Sequence, residues 1–274
     1  MARVALYQAQ SGIDPASNAA ALVAAVEAAA AGGAAMLFTP EMSGLLDSNR
    51  ARAAAQVVAE DYDATLALVR DAAAKAGLWV NLGSLAVQAG DGRFANRAFV
   101  IDPAGDVRGR YDKIHLFDVD LPSGERWRES AAYRPGEEVT IVSDTPVGTL
   151  GLTICYDLRF PTLFARLAEA GADTIAVPAA FTVPTGKAHW HILLRARAIE
   201  AGLFIVAAAQ GGHHEDGRRT FGHSLVVDPW GDLLLDMGEG DLPSLGFADI
   251  DLARIAEVRS RVPALAHRRP ISTI

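Results

Sequence analysis

The sequence predicts an α/β fold in which two stacked mixed sheets lie between layers of helix, and three observations lead there. Short β-branched and apolar runs alternate with alanine-rich amphipathic stretches, the pattern of sheets covered by helices. Twice the alternation is broken by turn residues between two apolar runs, Asp102-Pro103-Ala104-Gly105 and Asp228-Pro229-Trp230-Gly231. Such turns make antiparallel hairpins, which a purely parallel doubly wound sheet does not accommodate. The third observation is size: 274 residues, 50% hydrophobic and 21% charged, suit one large packed core, so a single domain over residues 1–274 is expected.

Taken in order, Val4 to Tyr7 is expected as the first strand. A helix follows from Pro15 to Ala31, stopped by Gly32-Gly33, then a strand from Ala35 to Thr39. The next helix runs from Tyr62 to Ala76 and ends at Gly77. Strands near Leu78 to Leu85, Asn96 to Ile101 and Val107 to Tyr111 come next, the last two joined by the first hairpin turn. Beyond them the pattern gives a strand at Gly148 to Ile154, a helix at Pro161 to Ala170 and a strand at Asp173 to Val177. A helix from Lys187 to Glu200 precedes the strand Phe204 to Ala208. Gly222 to Val227 and Leu233 to Asp236 then flank the second hairpin turn. No repeat, low-complexity linker or domain boundary interrupts this series.

Composition excludes several classes of partner. A formal charge of −8 and a pI near 5.4 repel a phosphate backbone, so nucleic acid is not expected. One cysteine rules out an intramolecular disulfide and a cysteine-based metal cage, which favours a reducing compartment. Met1 to Gln10 lacks the basic and apolar regions of a secretory signal. Ala19 to Phe38 is apolar but alanine-rich, carries Glu27 and is broken by two glycines, so it reads as helix plus buried strand and not as a membrane span. A cytoplasmic protein with no membrane partner is the expectation.

Three residues carry candidate chemistry. Cys155 ends the apolar run Gly151-Leu152-Thr153-Ile154 and precedes Tyr156-Asp157-Leu158-Arg159-Phe160-Pro161, where Pro161 suits the first turn of a helix. A thiol at such a strand-to-helix elbow projects from a sheet edge, where nearby backbone N–H groups favour a thiolate and a developing oxyanion. The alternative is a small buried apolar cysteine with no chemistry. Glu41, in Phe38-Thr39-Pro40-Glu41, follows a strand's C-terminal edge, where α/β sites gather. Lys113 follows a hairpin strand in Tyr111-Asp112-Lys113-Ile114-His115. Alone, a loop glutamate or lysine is an ordinary surface charge. Together with Cys155 they supply a proton carrier, a fixed positive charge and a nucleophile, the set that amide cleavage through a thioester requires.

Phe38-Thr39-Pro40-Glu41, Tyr111-Asp112-Lys113-Ile114-His115-Leu116 and Cys155-Tyr156-Asp157-Leu158-Arg159-Phe160-Pro161 resemble, in order, the three motif regions of the nitrilase superfamily, the carbon–nitrogen hydrolases with a Glu-Lys-Cys triad. Pro178-Ala179-Ala180-Phe181, Thr185-Gly186, Arg195-Ala196-Arg197-Ala198, Gly222-His223-Ser224 and the Asp228 turn extend the likeness nearly end to end. The resemblance implies a four-layer α-β-β-α sandwich, usually dimerised. It also implies a second glutamate that orders Lys113 or the attacking water; this falls on Glu129 in Trp127-Arg128-Glu129-Ser130, with Glu125 as the alternative. Cys-Tyr-Asp-Leu-Arg-Phe-Pro is similar to the amidase branch containing ω-amidases and deaminated-glutathione amidases, and true nitrilases usually carry Cys-Trp-Glu. The segments Gly211 to Ser224 and His267-Arg268-Arg269-Pro270 look closest to the deaminated-glutathione group, with 2-oxoglutaramate or another ω-amide as the second choice.

Substrates of that branch carry a carboxylate near the scissile amide, which Arg159 is expected to clamp with both prongs of its guanidinium. The alternative is an arginine paired for structure with Asp157 or Glu169. Tyr156, Phe181 and Thr185 complete the expected substrate-binding set. No cofactor and no metal are expected: His189 and His191 on one helix point to different faces, and His213-His214-Glu215-Asp216-Gly217 reads as a polar turn. Two rivals remain on the same scaffold, an acyltransferase passing the thioester to an amine and a catalytically idle interaction module.

Overall fold

The computed structural model describes residues 1–120, 124 and 126–272. Its elements run β1 (Ala2–Gln8), α1 (Pro15–Ala31), β2 (Met36–Phe38), α2 (Arg50–Ala54), α3 (Ala64–Ala76), β3 (Trp79–Gln88), β4 (Phe94–Ile101) and β5 (Val107–Asp112) in the first half. A small ribbon of β6 (Asp118–Asp120) and β7 (Arg126–Arg128) follows, then β8 (Ile141–Thr145), β9 (Gly148–Leu152), α4 (Pro161–Glu169), β10 (Thr174–Ala176) and α5 (Val183–Ala201). The chain closes with β11 (Phe204–Ala207), β12 (Gly211–His213), β13 (Arg219–Phe221), β14 (Leu225–Val227), β15 (Leu233–Asp236), β16 (Ser244–Ile250) and α6 (Ala253–Arg261).

Two six-stranded mixed sheets form the body, ordered β16-β1-β2-β3-β4-β5 and β15-β14-β11-β10-β9-β8. In each, three neighbouring strands are parallel, β1 with β2 and β3 in one and β9 with β10 and β11 in the other, and hairpins extend the parallel block on its flank. Strand alternation then sorts the layers. Ala5, Leu37, Val80 and Phe99 pack outward under α1 and α3, which contribute Leu22, Val26, Leu66 and Val69. Val4, Leu6, Phe38 and Val100 join the core shared with the second sheet, which also takes in Phe164 of α4 and Trp190 and Leu194 of α5. The result is the expected four-layer α-β-β-α sandwich, its layers held by burial at ~25 cal/mol per Å² of apolar surface.

The expected helix Pro15–Ala31 is observed as such, with Asp14 accepting hydrogen bonds from the first-turn N–H groups of Ala16 and Ser17. The helix expected to begin at Lys187 begins four residues earlier, at Val183, because Thr182 and Pro184 form its first turn. The strand expected over Gly222 to Val227 shortens to Leu225–Val227, since Gly222 and His223 both hold positive φ, of 71° and 54°. β8, β16 and α6 were not anticipated from the pattern. Among the described residues no helix is long and apolar enough to cross a membrane.

Candidate active site

The parallel strands leave their C-terminal ends on one edge of the sandwich, and the candidate residues converge there from both sheets. Glu41 follows β2, Lys113 follows β5, and Cys155 follows β9 and opens a short tight helix, Cys155–Arg159, that precedes α4. The elbow is therefore a strand, a 3₁₀ turn and then the helix with Pro161 in its first turn. Cys155 takes a φ of +48°, a conformation rare for a residue with a side chain, and its N–H donates to Pro178 O at 2.9 Å. That bond ties the elbow to the loop leaving β10.

At the floor of the pocket Lys113 is 2% exposed, and its ammonium lies between two carboxylates. Nζ is 2.8 Å from Glu41 Oε1 and 3.0 Å from Glu129 Oε2. Glu41 Oε1 also accepts from Asn96 Nδ2 at 3.0 Å, and Glu41 Oε2 accepts from the backbone N–H of Ala180 at 3.1 Å. Glu129 is fixed in turn by Asn96 Nδ2 at 3.2 Å and by Phe117 N–H at 2.7 Å. Glu129 thus contacts Lys113 directly; Glu125 lies outside the described residues.

The electrostatics follow from this packing. Burial by itself pushes the Glu41 carboxyl up, but the charge of Lys113 and hydrogen bonds from Lys113, Cys155 and Asn96 outweigh it and hold the carboxyl below its usual range. Burial opposes the Lys113 cation, yet Glu129, Glu41 and Cys155 together push its pKa well above the ordinary lysine value. The Cys155 thiol is pushed far up by burial first and then by the Glu41 charge, which Lys113 and the Ala180 N–H only partly counter. At neutral pH the resting site is therefore a neutral thiol hydrogen-bonded to the Glu41 carboxylate, with the Lys113 cation held between the side chains of Glu41 and Glu129.

A cavity of about 550 Å³ opens onto this floor, lined by Cys155, Glu41, Lys113 and Glu129 and by Tyr156, Arg159, Phe181 and Thr185. All of the expected site residues are thus in one place. Arg159 pairs with neither Asp157 nor Glu169: its guanidinium lies 5.5 Å from the Phe181 ring centroid and 5.9 Å from that of Tyr156, and it lies 3.3 Å from His189 Nδ1. Among the described residues it has no carboxylate partner, and neither do Arg50 and Arg219 on the same cavity wall. His214 is a buried structural residue, Nδ1 at 2.9 Å from Ser11 O and Nε2 at 2.7 Å from Thr220 Oγ1.

Two residues that matter here were not singled out from sequence. Asn96 bridges both glutamates from near the start of β4, a position with no local signal beyond an asparagine in a strand. Asp157, wholly buried, accepts from Tyr111 Oη at 2.7 Å, from His115 N–H at 3.1 Å and from Ile154 N–H at 2.9 Å, and lies 2.7 Å from His115 Nδ1. It locks the cysteine elbow to the segment that carries Lys113.

A four-layer sandwich with a thiol, two carboxylates and a buried lysine in one pocket defines a hydrolase class. The family model for carbon–nitrogen hydrolases matches residues 3–260, and the chain belongs to that family, hydrolases of amide carbon–nitrogen bonds. It is similar to the deaminated glutathione amidase of Yersinia enterocolitica, 41% identical over all of this chain and 95% of that one. The Rattus norvegicus deaminated glutathione amidase is 37% identical over 97% of this chain and 82% of its own. Among solved structures, the Caenorhabditis elegans NitFhit protein superposes with a TM-score of 0.89 at 37% identity, over 98% of this chain and 65% of that longer one. A variant of the amidase from Nesterenkonia sp. AN1, with the acetamide moiety of fluoroacetamide covalently added at its active-site cysteine, superposes at 0.82 with 30% identity over 98% of this chain and 94% of that one.

Proposed function

We propose that the chain is a cysteine amidase that hydrolyses a linear carboxamide carrying a nearby carboxylate, with deaminated glutathione the leading substrate and an ω-amide such as 2-oxoglutaramate the second. The observation that carries this reading is the convergence of Cys155, Glu41 and Lys113 in one cavity with an arginine that has no anionic partner among the described residues. The names of the relatives support the choice of substrate.

Each residue then has a task set by its position. Glu41 takes the thiol proton as Cys155 Sγ adds to the amide carbon, so no free buried thiolate has to persist. The carbonyl oxygen becomes an oxyanion facing the Lys113 ammonium, whose charge is in place before reaction and costs no reorganisation. Protonated Glu41 delivers the proton to the leaving nitrogen, and the C–N bond breaks to give ammonia and a thioester. Glu41, held by Asn96 and Ala180, next accepts a proton from water as it attacks the thioester, and returns that proton to the leaving Cys155 sulfur as the C–S bond breaks, releasing the carboxylic acid and restoring the thiol and the Glu41 carboxylate. Glu129 keeps Lys113 in line and aids the water. Arg159, stacked between Tyr156 and Phe181, holds the substrate carboxylate with two parallel bonds.

The test is kcat/KM, read as ammonia release, for matched amides with and without the carboxylate, using wild type and Arg159→Lys. A neutral analogue leaves the guanidinium unpaired in the cavity, a loss of about 1.5–3 kcal/mol or roughly ten- to hundredfold. Lysine narrows that ratio because it lacks the planar fork. Equal values for both amides in wild type contradict the clamp. Ammonia released only when an amine is added, with a new amide formed in place of the acid, would indicate acyl transfer, and no turnover with any amide would indicate an idle scaffold. A homodimer working in the cytoplasm is part of the same reading.

A further inference from the structure

Outside the cavity, the described residues contain one cluster of metal-ligating side chains. His191 on α5, His223 between β13 and β14, and Asp236 at the end of β15 each present a donor atom, and the three atoms lie within 4.8 Å of one another. Asp236 is central, with Oδ2 2.8 Å from His191 Nε2 and Oδ1 2.9 Å from His223 Nδ1. None of the three lines the cavity of Cys155.

The donors are held in place by contacts unconnected with catalysis. The His223 ring stacks on Phe221 at 4.3 Å and 20°, while the residue's backbone N–H donates to Gly238 O at 2.9 Å and its backbone carbonyl accepts from Trp190 Nε1 at 2.8 Å. Gly238 N–H donates to Asp236 Oδ1 at 2.9 Å, which orients the carboxylate. His191 stands edge-on to His223, ring centroids 5.0 Å apart, on a helix of 19 residues. The side chains are 20–31% exposed, so an ion reaches them from solvent and keeps positions for water.

We propose that His191, His223 and Asp236 form a site for a first-row divalent transition ion, with zinc the best fit. Two imidazole nitrogens and one carboxylate oxygen match the borderline character of zinc, whereas magnesium and calcium favour all-oxygen sets. The nitrogens facing Asp236, Nε2 of His191 and Nδ1 of His223, are the ligands; each imidazole uses its lone pair and gives up any proton it carries there to solvent. Bonds of about 2.0–2.2 Å place tetrahedral donors roughly 3.4 Å apart. The two pairs now at 2.8 and 2.9 Å open slightly, and side-chain rotation brings the two nitrogens to that spacing. A bound ion fastens α5, whose first turn carries Thr185 at the cavity, to the β14–β15 hairpin. The sequence expectation of no metal considered only neighbours along the chain, and these ligands are 13 and 32 residues apart or more.

The experiment uses the untagged full chain carrying Cys155→Ala, so that the lone thiol cannot ligate, and titrates zinc by calorimetry and cobalt by visible absorption. One equivalent is expected to bind, to raise Tm by several degrees and to produce the intense visible bands of tetrahedral cobalt. His191→Gln and Asp236→Ala are each expected to weaken binding at least about tenfold and to abolish the Tm rise. Failure of the Cys155→Ala protein to bind an equivalent overturns the proposal without recourse to any ligand variant. Equal affinity in both ligand variants overturns it as well, by placing the ion elsewhere.

Discussion

Replacing Lys113 with methionine perturbs the charge balance on which the site depends. The ammonium is 2.8 Å from Glu41 and 3.0 Å from Glu129 and is 2% exposed, so methionine keeps much of the stem and removes a buried cation from between two anions. Breaking a buried ion pair from one side costs about 3–5 kcal/mol, because the remaining charge is left without compensation. Here part of that cost is avoided if one carboxylate takes up a proton, and this gives the effect a sign in pH. In wild type the Glu41 carboxyl sits below its unfolded value, so its contribution is present above about pH 4.3 and is lost as pH falls through the folded value. In Lys113→Met burial and the second carboxylate raise it instead, so the folded state gains on acidification and loses as pH rises through the raised value. Urea unfolding at pH 7 and pH 5 should therefore show a large gap between variant and wild type at pH 7 that narrows at pH 5. Adding Glu129→Gln should recover about 1–3 kcal/mol at pH 7. A variant within about 0.5 kcal/mol of wild type at pH 7, or a gap that widens at pH 5, refutes this electrostatic account.

Glu41→Gln cannot accept the thiol proton, and kcat for amide cleavage should fall by about a hundredfold or more while the fold is retained; near wild-type turnover would move the base elsewhere. Asp157→Asn turns one acceptor oxygen into a donor facing either Tyr111 and Ile154 or His115, so Tm should drop by an amount corresponding to about 1–3 kcal/mol per orphaned group, and an unchanged melting curve would show that the elbow needs no such lock. Ile192 and Ile199 on α5 and Trp230, Leu233 and Leu234 on the last hairpin are exposed, and light scattering should return at least twice the 28.9 kDa chain mass; a monomer mass would speak against the dimer.

Much of this architecture was legible because the evidence was local. The Gly32-Gly33 stop bounded α1, and two turn sequences revealed the hairpins that separate two mixed sheets from one parallel sheet. β8, β16 and α6 escaped because short strands and a polar helix at the sandwich margin owe their form to partners far along the chain, as in the pairing of β16 with β1. The site divides in the same way. Glu41, Lys113 and Cys155 each sit in a marked local context, a strand end or an elbow, and family resemblance supplied their convergence. Asn96 and Asp157 have no such mark: an asparagine in a strand and an aspartate in a turn acquire meaning only when a second segment brings carboxylates or N–H groups to them. His191, His223 and Asp236 lie on separate elements, and spacing does not bring them together.

Covalent capture tests the central claim most directly. Mixing the enzyme with a slow carboxylate-bearing amide, quenching in acid and mapping the digest by mass spectrometry reports which residue carries the acyl group. The account predicts one adduct, on the peptide containing Cys155, with the mass of the substrate less ammonia, matched by one equivalent of ammonia and absent in Cys155→Ala. Ammonia release by Cys155→Ala at a rate near that of wild type, or an acyl group on any other residue, contradicts it.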